Sequence, residues 1–374
     1  MANITTVRDA HTPLTPTYIL PTLPLESNVE TTAVLKATRA ASRALGELKG
    51  VAVSMPNQSI LVSTLSLQEA KDSSAIENII TTNDELYQSD LRTGYFTSTA
   101  AKEVHLYAAA LRHGYEQVKG SGLLTNRLIK DMQAMLEGNN AGFRSQSGTA
   151  LKNDQTGQVV YTPPQDLAAI EGHMQNLEVF INDTSVCDWD PLVKMAVIHH
   201  QFESIHPFFD GNGRTGRIIN VLYLVQQGLL NTPILYLSRY INRHKQDYYR
   251  LLQAVRDHGV WEEWVLFILR GVEQTALQTI RLIEQIRTLM QHHKQAMRTQ
   301  MSGVYSQDLL NLLFSHPYTK IAHAEEILSK SRPTVTKYLD ALAAGGLLHK
   351  TRVGRENYYI NTDLMECLAN VHDL

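Results

Sequence analysis

A twelve-residue loop between two apolar segments constrains this chain more than any other feature of its sequence. Residues 192–205 before the loop and 218–230 after it are apolar on most sides, which predicts two buried helices. Pro207 ends the first of them. The loop itself reads His206-Pro207-Phe208-Phe209-Asp210-Gly211-Asn212-Gly213-Arg214-Thr215-Gly216-Arg217.

The residue types of this loop suit it to binding phosphates. A Gly-Asn-Gly turn that runs into a helix N-terminus exposes backbone N–H groups at the positive end of the helix dipole, which is an anion site. Arg214 and Arg217 add forked donors for phosphate oxygens. Asp210 offers a hard oxygen ligand for Mg²⁺, and the imidazole of His206 can accept a proton from a hydroxyl. The alternative, a Gly-rich connection with a capping Asp, does not account for the full set of residues.

The loop resembles the signature of the Fic family, His-x-Phe-x-Asp/Glu-Gly-Asn-Gly-Arg-x-x-Arg, at every fixed position. Fic proteins are mostly helical enzymes that typically transfer AMP from ATP to a Ser, Thr or Tyr hydroxyl of a protein and release pyrophosphate. The resemblance implies that His206 is the general base and Asp210 the Mg²⁺ ligand. It also implies that Gly211, Asn212 and Gly213 cradle the α- and β-phosphates.

The same resemblance assigns the other nucleotide contacts. Arg214 would contact the β-phosphate side, and Arg217 would hold the γ-phosphate. Tyr248 would lie near the adenine, where a tyrosine can stack, with a core position as the alternative. Gln201, on the helix before the loop, is a further candidate contact. Such a site works by positioning and charge neutralisation, which is what phosphoryl-type transfer needs.

Residues 73–78, Ser-Ser-Ala-Ile-Glu-Asn, resemble the inhibitory motif of Fic proteins, Ser/Thr-x-x-x-Glu-Gly/Asn. Ser73 and Glu77 share one face of a predicted helix, and residues 66–69 have the form of a capping box for it. In that subset of the family the glutamate pairs with the second arginine of the signature, here Arg217. The resemblance therefore implies that Ser73, Glu77 and Asn78 inhibit the enzyme by occupying the γ-phosphate clamp. Taken alone, the motif also fits a solvated helix.

A β-hairpin is predicted between residues 149 and 164. Two short strand patterns flank a turn rich in Asn, Asp and Gly, and two prolines end the pairing. A plain surface hairpin is the alternative. In Fic proteins a hairpin at this place is the flap that holds the target segment by strand-like pairing. The resemblance implies a target-binding edge formed by Val159, Val160, Tyr161 and Thr162.

Residues 303–374 follow the helix, turn, helix, hairpin order of a winged helix. Their patterns predict helices at 321–328 and after Ser331, and strands at 347–352 and 357–360. This part resembles the wing domain of many bacterial Fic proteins. It holds seven Lys/Arg and eight Asp/Glu, so it is not basic overall. DNA binding and a protein-interaction or homodimer role both remain open.

Length and composition set further limits. A chain of 374 residues is expected to form two or three domains. Its net charge of −3 gives no basic field that would recruit nucleic acid. Cys187 and Cys367 lack metal or redox spacing and are expected to be buried, inert thiols. The chain lacks a signal-peptide core and a membrane span, which predicts a cytoplasmic protein without membrane contact.

The expected fold is mainly α: a Fic helical-bundle core with a β-hairpin flap, plus a small C-terminal winged-helix domain. Its parts are an N-terminal helical segment (1–100), the core (101–275), a connecting helix (276–302) and the winged helix (303–374). The expected activity is Mg²⁺-dependent transfer of AMP from ATP to a target protein and to the enzyme itself. The alternatives are a Fic enzyme that moves another phosphate-linked group or removes AMP, and a DNA-binding regulator whose Fic core senses ATP.

Overall fold

The computed structural model describes residues 4–8, 18–89, 94–153, 156–301, 303–353 and 356–370. The described chain is mainly helical, as expected. Its strands are β1 (Ile4–Arg8), β2 (Thr149–Asn153), β3 (Val159–Tyr161), β4 (Tyr318–Lys320), β5 (His349–Val353) and β6 (Glu356–Ile360). Its helices are α1 (Thr32–Val53), α2 (Gln58–Ile76), α3 (Asn83–Gln88), α4 (Thr99–Ser121), α5 (Asn126–Glu137), α6 (Leu167–Asn182), α7 (Pro191–Ile205), α8 (Asn212–Gln226), α9 (Leu237–Arg243), α10 (Lys245–His258), α11 (Trp261–Gln300), α12 (Gln307–Ser315), α13 (Ile321–Leu328), α14 (Arg332–Ala344) and α15 (Thr362–Ala369).

The chain divides into two compact units. The first unit contains residues 1–46, 69–80 and 106–276, and the second contains residues 47–68, 81–105 and 277–374. Residues 1–100, which the sequence grouped as one N-terminal segment, are therefore shared between the two units.

Helices α7 and α8 form the centre of the first unit, and the signature loop joins them. Asp190 caps α7 by accepting a hydrogen bond from the Leu192 N–H at 2.8 Å, and Pro191 takes the first helical position, where its missing N–H costs nothing. Every residue of α7 after Pro191 is buried. Gly216 lets α8 approach closely, because an added Cβ would contact Phe202 and Glu203 of α7. The two helices therefore hold the loop on a rigid, buried base.

A three-stranded sheet lies in the same unit, with the strand order β1-β2-β3. Strands β2 and β3 form the expected hairpin, with a register shift between Leu151 and Lys152. Residues 154–155 of its turn lie outside the described residues. Strand β1 pairs antiparallel with β2. It was not expected, because residues 1–30 contain prolines and threonines typical of an extended arm.

Helix α2 begins earlier than the sequence indicated. The capping-box pattern at residues 66–69 predicted a start near Ser66, but the helix begins at Gln58. Ile60, Leu61 and Leu65 are fully buried, so packing extends the helix upstream of that pattern. The local capping signal was wrong because Ser66 is itself a buried position inside the helix.

In the second unit the order of elements follows the prediction for residues 303–374. Helices α12, α13 and α14 accompany an antiparallel sheet with the strand order β4-β6-β5. Three basic side chains of this sheet and its helices form ion pairs: Lys320 with Glu356 at 2.8 Å, Arg332 with Glu325 at 3.4 Å and Lys350 with Asp340 at 2.6 Å. These pairs reduce the local positive charge available to nucleic acid.

The two cysteines are free thiols and half-buried, whereas the sequence predicted buried ones. The lack of metal or redox spacing carried no information on exposure. Among the helices that the structure describes, none combines the length and apolar character needed to cross a bilayer.

Candidate active site

The signature loop leads directly into the N-terminus of α8. Gly211 lies just before the helix with φ +75°, a left-handed conformation that favours glycine. The side chain of Asn212 bridges the loop: its Oδ1 accepts from the Phe208 N–H and its Nδ2 donates to the Phe208 carbonyl, both at 2.9 Å. Asn212 thus fixes the loop shape with its side chain, and its backbone N–H belongs to the first, unpaired turn of the helix. The turn is built as an anion site.

His206 is the C-terminal cap of α7, in the left-handed region at φ +49°. Arg144 holds its backbone: Nε donates to the His206 carbonyl at 2.8 Å, the Arg144 N–H donates to the Pro207 carbonyl at 2.8 Å, and Nη2 donates to the Pro164 carbonyl. The Arg144 side chain is fully buried. The sequence alone indicated no role for Arg144.

The imidazole of His206 is neutral at physiological pH. Burial, with the nearby guanidinium groups of Arg144 and Arg256, lowers the pKa of His206 to about 3. Its Nε2 lies 3.1 Å from Oγ1 of Thr6, a residue of β1. An uncharged nitrogen within hydrogen-bond distance of a hydroxyl is the arrangement that a general base needs.

Arg217 is held by the last turn of α2. Its Nε donates to Ser73 Oγ at 2.8 Å, and its Nη2 donates to the Ser73 carbonyl at 3.1 Å and to Glu77 Oε1 at 2.8 Å. Arg217 is 2% exposed and Glu77 is 30% exposed. Burial lowers the pKa of Arg217, but Glu77, Tyr248 and Glu203 together raise it above its usual value. The structure thus contains the Glu77–Arg217 pair that the resemblance implied.

Arg214 has a carboxylate partner that the sequence did not indicate. Its Nη2 donates to Glu137 Oε1, at the end of α5, at 2.8 Å. Both carboxylates also cover the loop: a Cβ added to Gly211 would contact Glu137, and one added to Gly213 would contact Glu77. Each arginine of the signature is therefore engaged by a glutamate that lies over a glycine of the anion turn.

The carboxylate of Asp210 is exposed beside this turn, and its Oδ1 accepts from the Gly211 N–H at 2.7 Å. Within the described residues, no group of three or more His, Cys, Asp or Glu side chains could hold a metal ion. A single accessible carboxylate fits Mg²⁺, which commonly binds one or two carboxylates together with substrate phosphates. The Mg²⁺ role of Asp210 remains a prediction.

Asn78 ends the inhibitory segment in a left-handed conformation at φ +64°, which asparagine tolerates better than most residues. It is exposed, and its Oδ1 accepts from Lys245 Nζ at 3.1 Å. This turn terminates α2 directly after Ile76, so that Glu77 projects from the helix end.

Two of the expected nucleotide contacts, Gln201 and Tyr248, have hydrogen-bond partners within the protein. Gln201 is buried, and its Nε2 donates to the Pro21 carbonyl at 2.8 Å, so it anchors the N-terminal arm. Tyr248 is buried in an aromatic cluster with Trp264 and Phe267, and its hydroxyl lies 2.9 Å from His199 Nε2. Both side chains already have partners in the core. Their roles as ATP contacts remain predictions.

The expected target-binding edge is partly buried. Val159 is 40% exposed and Val160 is half-buried, but Tyr161 and Thr162 are buried. Tyr161 donates its hydroxyl to the Ser204 carbonyl at 2.6 Å, and the Arg256 guanidinium lies 3.9 Å from the centre of its ring. Tyr161 therefore anchors the hairpin to the end of α7. The strand that pairs with the hairpin, β1, lies along β2 and not along β3.

A buried carboxyl of α7, Glu203, lies near the same arginines. Burial raises the pKa of Glu203 to about 7, while Arg217 and Arg256 lower it and Glu77 raises it. The sequence did not indicate a role for Glu203, because a single glutamate in an apolar helix breaks the hydrophobic pattern without showing what the carboxyl contacts.

Three family models match successive parts of the chain. They are the Fic/DOC family N-terminal model at residues 35–116, the Fic/DOC family model at residues 123–224, and the model of the C-terminal domain of protein adenylyltransferase SoFic-like at residues 289–364. The second of these contains the signature loop.

Several curated proteins are similar to parts of the chain. A probable protein adenylyltransferase of Aquifex aeolicus is 47% identical over 53 residues, which is 14% of this chain and 17% of that protein. Protein adenylyltransferase Fic of Aedes aegypti is 32% identical over 112 residues, and that of Drosophila erecta is 29% identical over 137 residues. These two matches cover 30% and 36% of this chain, and 20% and 26% of the relatives. The chain thus matches about a quarter or less of each relative's length.

Solved structures share the fold. A Fic family protein from Desulfovibrio desulfuricans superposes with a TM-score of 0.56 and 20% identity, covering 88% of this chain and 96% of that one. Fic-1 of Caenorhabditis elegans superposes with a TM-score of 0.53 and 20% identity, covering 67% of this chain and 74% of that one. These likenesses show the fold. The three family models show that the chain carries a Fic/DOC N-terminal domain, a Fic/DOC domain that contains the complete signature loop, and a SoFic-like C-terminal domain.

Proposed function

We propose that this protein is a protein adenylyltransferase, which transfers AMP from ATP to a hydroxyl of a protein, and that Glu77 keeps its basal activity low. One observation carries the proposal: a neutral imidazole, His206, lies at the start of a loop that ends in a helical anion site with two arginines. The names of the curated relatives support the reaction class.

The reaction follows from the positions of these groups. The triphosphate of ATP binds the first turn of α8, where the N–H groups of Gly213 and its neighbours and the side chains of Arg214 and Arg217 neutralise its charge. A protein hydroxyl gives its proton to Nε2 of His206, and its oxygen attacks the α-phosphorus. The bond from that phosphorus to the bridging oxygen breaks, and pyrophosphate leaves. The products are a phosphodiester on the target protein and free pyrophosphate.

Mg²⁺ bound by Asp210 together with the phosphates would supply further charge neutralisation. His206 can accept the hydroxyl proton without a metal ion. Its low pKa in the free enzyme rises when the anionic triphosphate binds nearby, because a negative charge favours the imidazolium form. A base that strengthens as substrate binds suits proton abstraction in the bound complex.

Inhibition by Glu77 follows from competition for one guanidinium. Three acceptors hold Arg217: two on Ser73, in the last turn of α2, and one on Glu77, just after the helix. The Glu77 carboxylate also lies next to Gly213, where phosphate oxygens would approach. The negative charge of Glu77 repels the γ-phosphate and occupies Arg217, which would otherwise bind that phosphate. ATP then cannot place its α-phosphorus in line for attack by the hydroxyl.

Substitution of Glu77 tests the proposal. Glu77→Gly should raise incorporation of α-labelled AMP by roughly 10- to 100-fold, since a hydrogen bond to a charged group is worth about 1.5–3 kcal/mol. Adding His206→Ala should lower it again by at least about 100-fold. His258→Ala, at an exposed histidine, is the matched control and should have no effect.

The label position separates the alternatives. Transfer of the γ-label would indicate phosphorylation, and no transfer by Glu77→Gly would contradict both the reaction and its inhibition.

For residues 303–374 we propose a winged-helix domain that contacts protein, because three of its basic side chains are ion-paired. A mobility-shift assay on the same sample tests the alternative of a DNA-binding regulator.

A further inference from the structure

Strand β1 lies along the flap hairpin, on its β2 edge. Five residue pairs set the register, with Thr6 opposite Leu151 and Thr5 opposite Lys152. An extended segment that adds a strand to a sheet edge is held by main-chain hydrogen bonds, which is how β-augmentation captures peptides. Residues Ile4–Arg8 thus occupy the kind of position that an extended acceptor peptide would take on a flap.

The register of β1 places one hydroxyl at the catalytic base. Thr6 is half-buried, and its Oγ1 lies 3.1 Å from Nε2 of His206. General bases act over about 2.6–3.2 Å between heavy atoms. The imidazole is neutral, so Nε2 can accept the threonine proton when the other ring nitrogen carries the hydrogen.

A purely structural contact would explain the hydrogen bond but not the combination of features. Thr6 is a hydroxyl residue, it is carried by a flap-paired strand, and it is the residue whose side chain reaches the base. The strand is covalently tethered to the site, so its effective concentration is on the order of millimolar. Tethering therefore compensates for a weak intrinsic affinity of the acceptor segment.

We propose that Thr6 is a modification site of this protein: an acceptor that the enzyme adenylylates within its own chain. This inference rests on the proposed function. Oγ1 of Thr6 forms a bond to the α-phosphorus of ATP, its proton passes to Nε2 of His206, and pyrophosphate leaves with the broken bridging bond. The products are an AMP–threonine phosphodiester at Thr6 and pyrophosphate. The same strand must leave the flap before another protein can be modified there.

The test uses the whole 374-residue chain carrying Glu77→Gly, incubated with ATP and Mg²⁺. Peptide mass spectrometry should find one AMP on Thr6. Thr6→Val, which keeps a β-branched strand residue but removes the hydroxyl, should abolish this label, and Thr6→Ser should retain it. Thr5→Val, the same change one position away in β1, is the matched control and should leave the label in place.

Two further measurements separate this inference from the proposed function. The rate constant of Thr6 labelling should not change on dilution, and His206→Ala protein mixed with the active variant should stay unlabelled at Thr6. Label on the His206→Ala chain, or self-labelling unaffected by Thr6→Val, overturns the inference. Labelling of proteins in a cell extract without any label on Thr6 overturns it as well, but leaves the proposed function standing. If nothing is labelled at all, both fail.

Discussion

Arg214 and Arg217 each donate to a glutamate that also lies against a glycine of the anion turn. The two glutamates come from different helices, Glu137 from the end of α5 and Glu77 from the end of α2. In the proposed reaction the phosphate oxygens bind both guanidinium groups. When Glu77 releases Arg217, Arg214 is still paired with Glu137. Glu137 therefore acts, in our proposal, as a second competitor for the triphosphate.

Glu137→Gln tests this role at the scale of one residue. In the Glu77→Gly background it should raise kcat/KM for ATP by roughly tenfold, because removing the charge weakens a hydrogen bond worth about 1.5 kcal/mol. Steady-state kinetics with varied ATP measures it, and Glu116→Gln, at an exposed glutamate of α4, is the control. A fall in kcat/KM would mean that Glu137 positions Arg214 for the phosphates.

The sequence predicted some of these residues and missed others for identifiable reasons. The loop residues stand together, so their types alone indicated an anion site. Glu77 lies 140 positions from Arg217 and was found through the resemblance of residues 73–78 to a known motif. Glu137, Arg144 and Thr6 are single residues with no pattern around them, and only the folded chain brings them to the loop. Gln201 and Tyr248, which stay predicted ATP contacts, each have a hydrogen-bond partner within the protein, and position along the chain does not reveal such bonds.

At the scale of elements, periodicity was a reliable guide where an apolar face is continuous, as in α7, α8 and the elements from α13 to β6. It failed where packing overrides a local signal, as at Ser66, and where a short strand depends on a distant partner. Strand β1 depends on such a distant partner. Its five residues form a strand because they pair with the edge of β2, about 145 residues later in the chain. Local sequence patterns carry no information on a partner so far away.

The hairpin depends on one buried anchor, Tyr161, whose hydroxyl donates to the Ser204 carbonyl. Tyr161→Phe should lower the free energy of unfolding by roughly 1–3 kcal/mol, because it leaves a buried carbonyl unpaired. It should also raise KM for a protein acceptor more than KM for ATP, since the hairpin loosens while the loop stays intact. Urea denaturation and two-substrate kinetics measure these effects.

Tyr115→Phe is the matched control for the loss of a tyrosine hydroxyl. That hydroxyl donates to the Asn231 carbonyl at 3.1 Å in an exposed setting, so the change should cost less than about 0.5 kcal/mol. If the two variants lost the same free energy of unfolding, the Tyr161 hydroxyl would contribute no more to stability than an exposed tyrosine hydroxyl does.

At the scale of the whole molecule, buried ionisable groups make stability depend on pH. Burial lowers the pKa of His199 and His206 to about 3 and that of His200 well below its usual value. Burial raises the pKa of Glu69 and Glu203 to about 7. Between pH 4.5 and 6.5, the ordinary values of the two residue types, the unfolded chain therefore binds more protons at three histidines and fewer at two glutamates.

The difference is about one net proton in favour of the unfolded chain, so stability should rise with pH across this window by about 1.4 kcal/mol per pH unit. Burial also lowers the pKa of His173 and His293, which makes the slope steeper. His200→Gln keeps a donor for the Leu252 carbonyl but has no group that titrates in this window. It removes one of the protons that the unfolded chain binds in excess, so the slope should fall by about 1.4 kcal/mol per pH unit. Urea denaturation at several pH values measures both slopes, with His258→Gln, at an exposed histidine, as the control. A slope that His200→Gln leaves unchanged would show that this histidine is not held neutral in the folded protein.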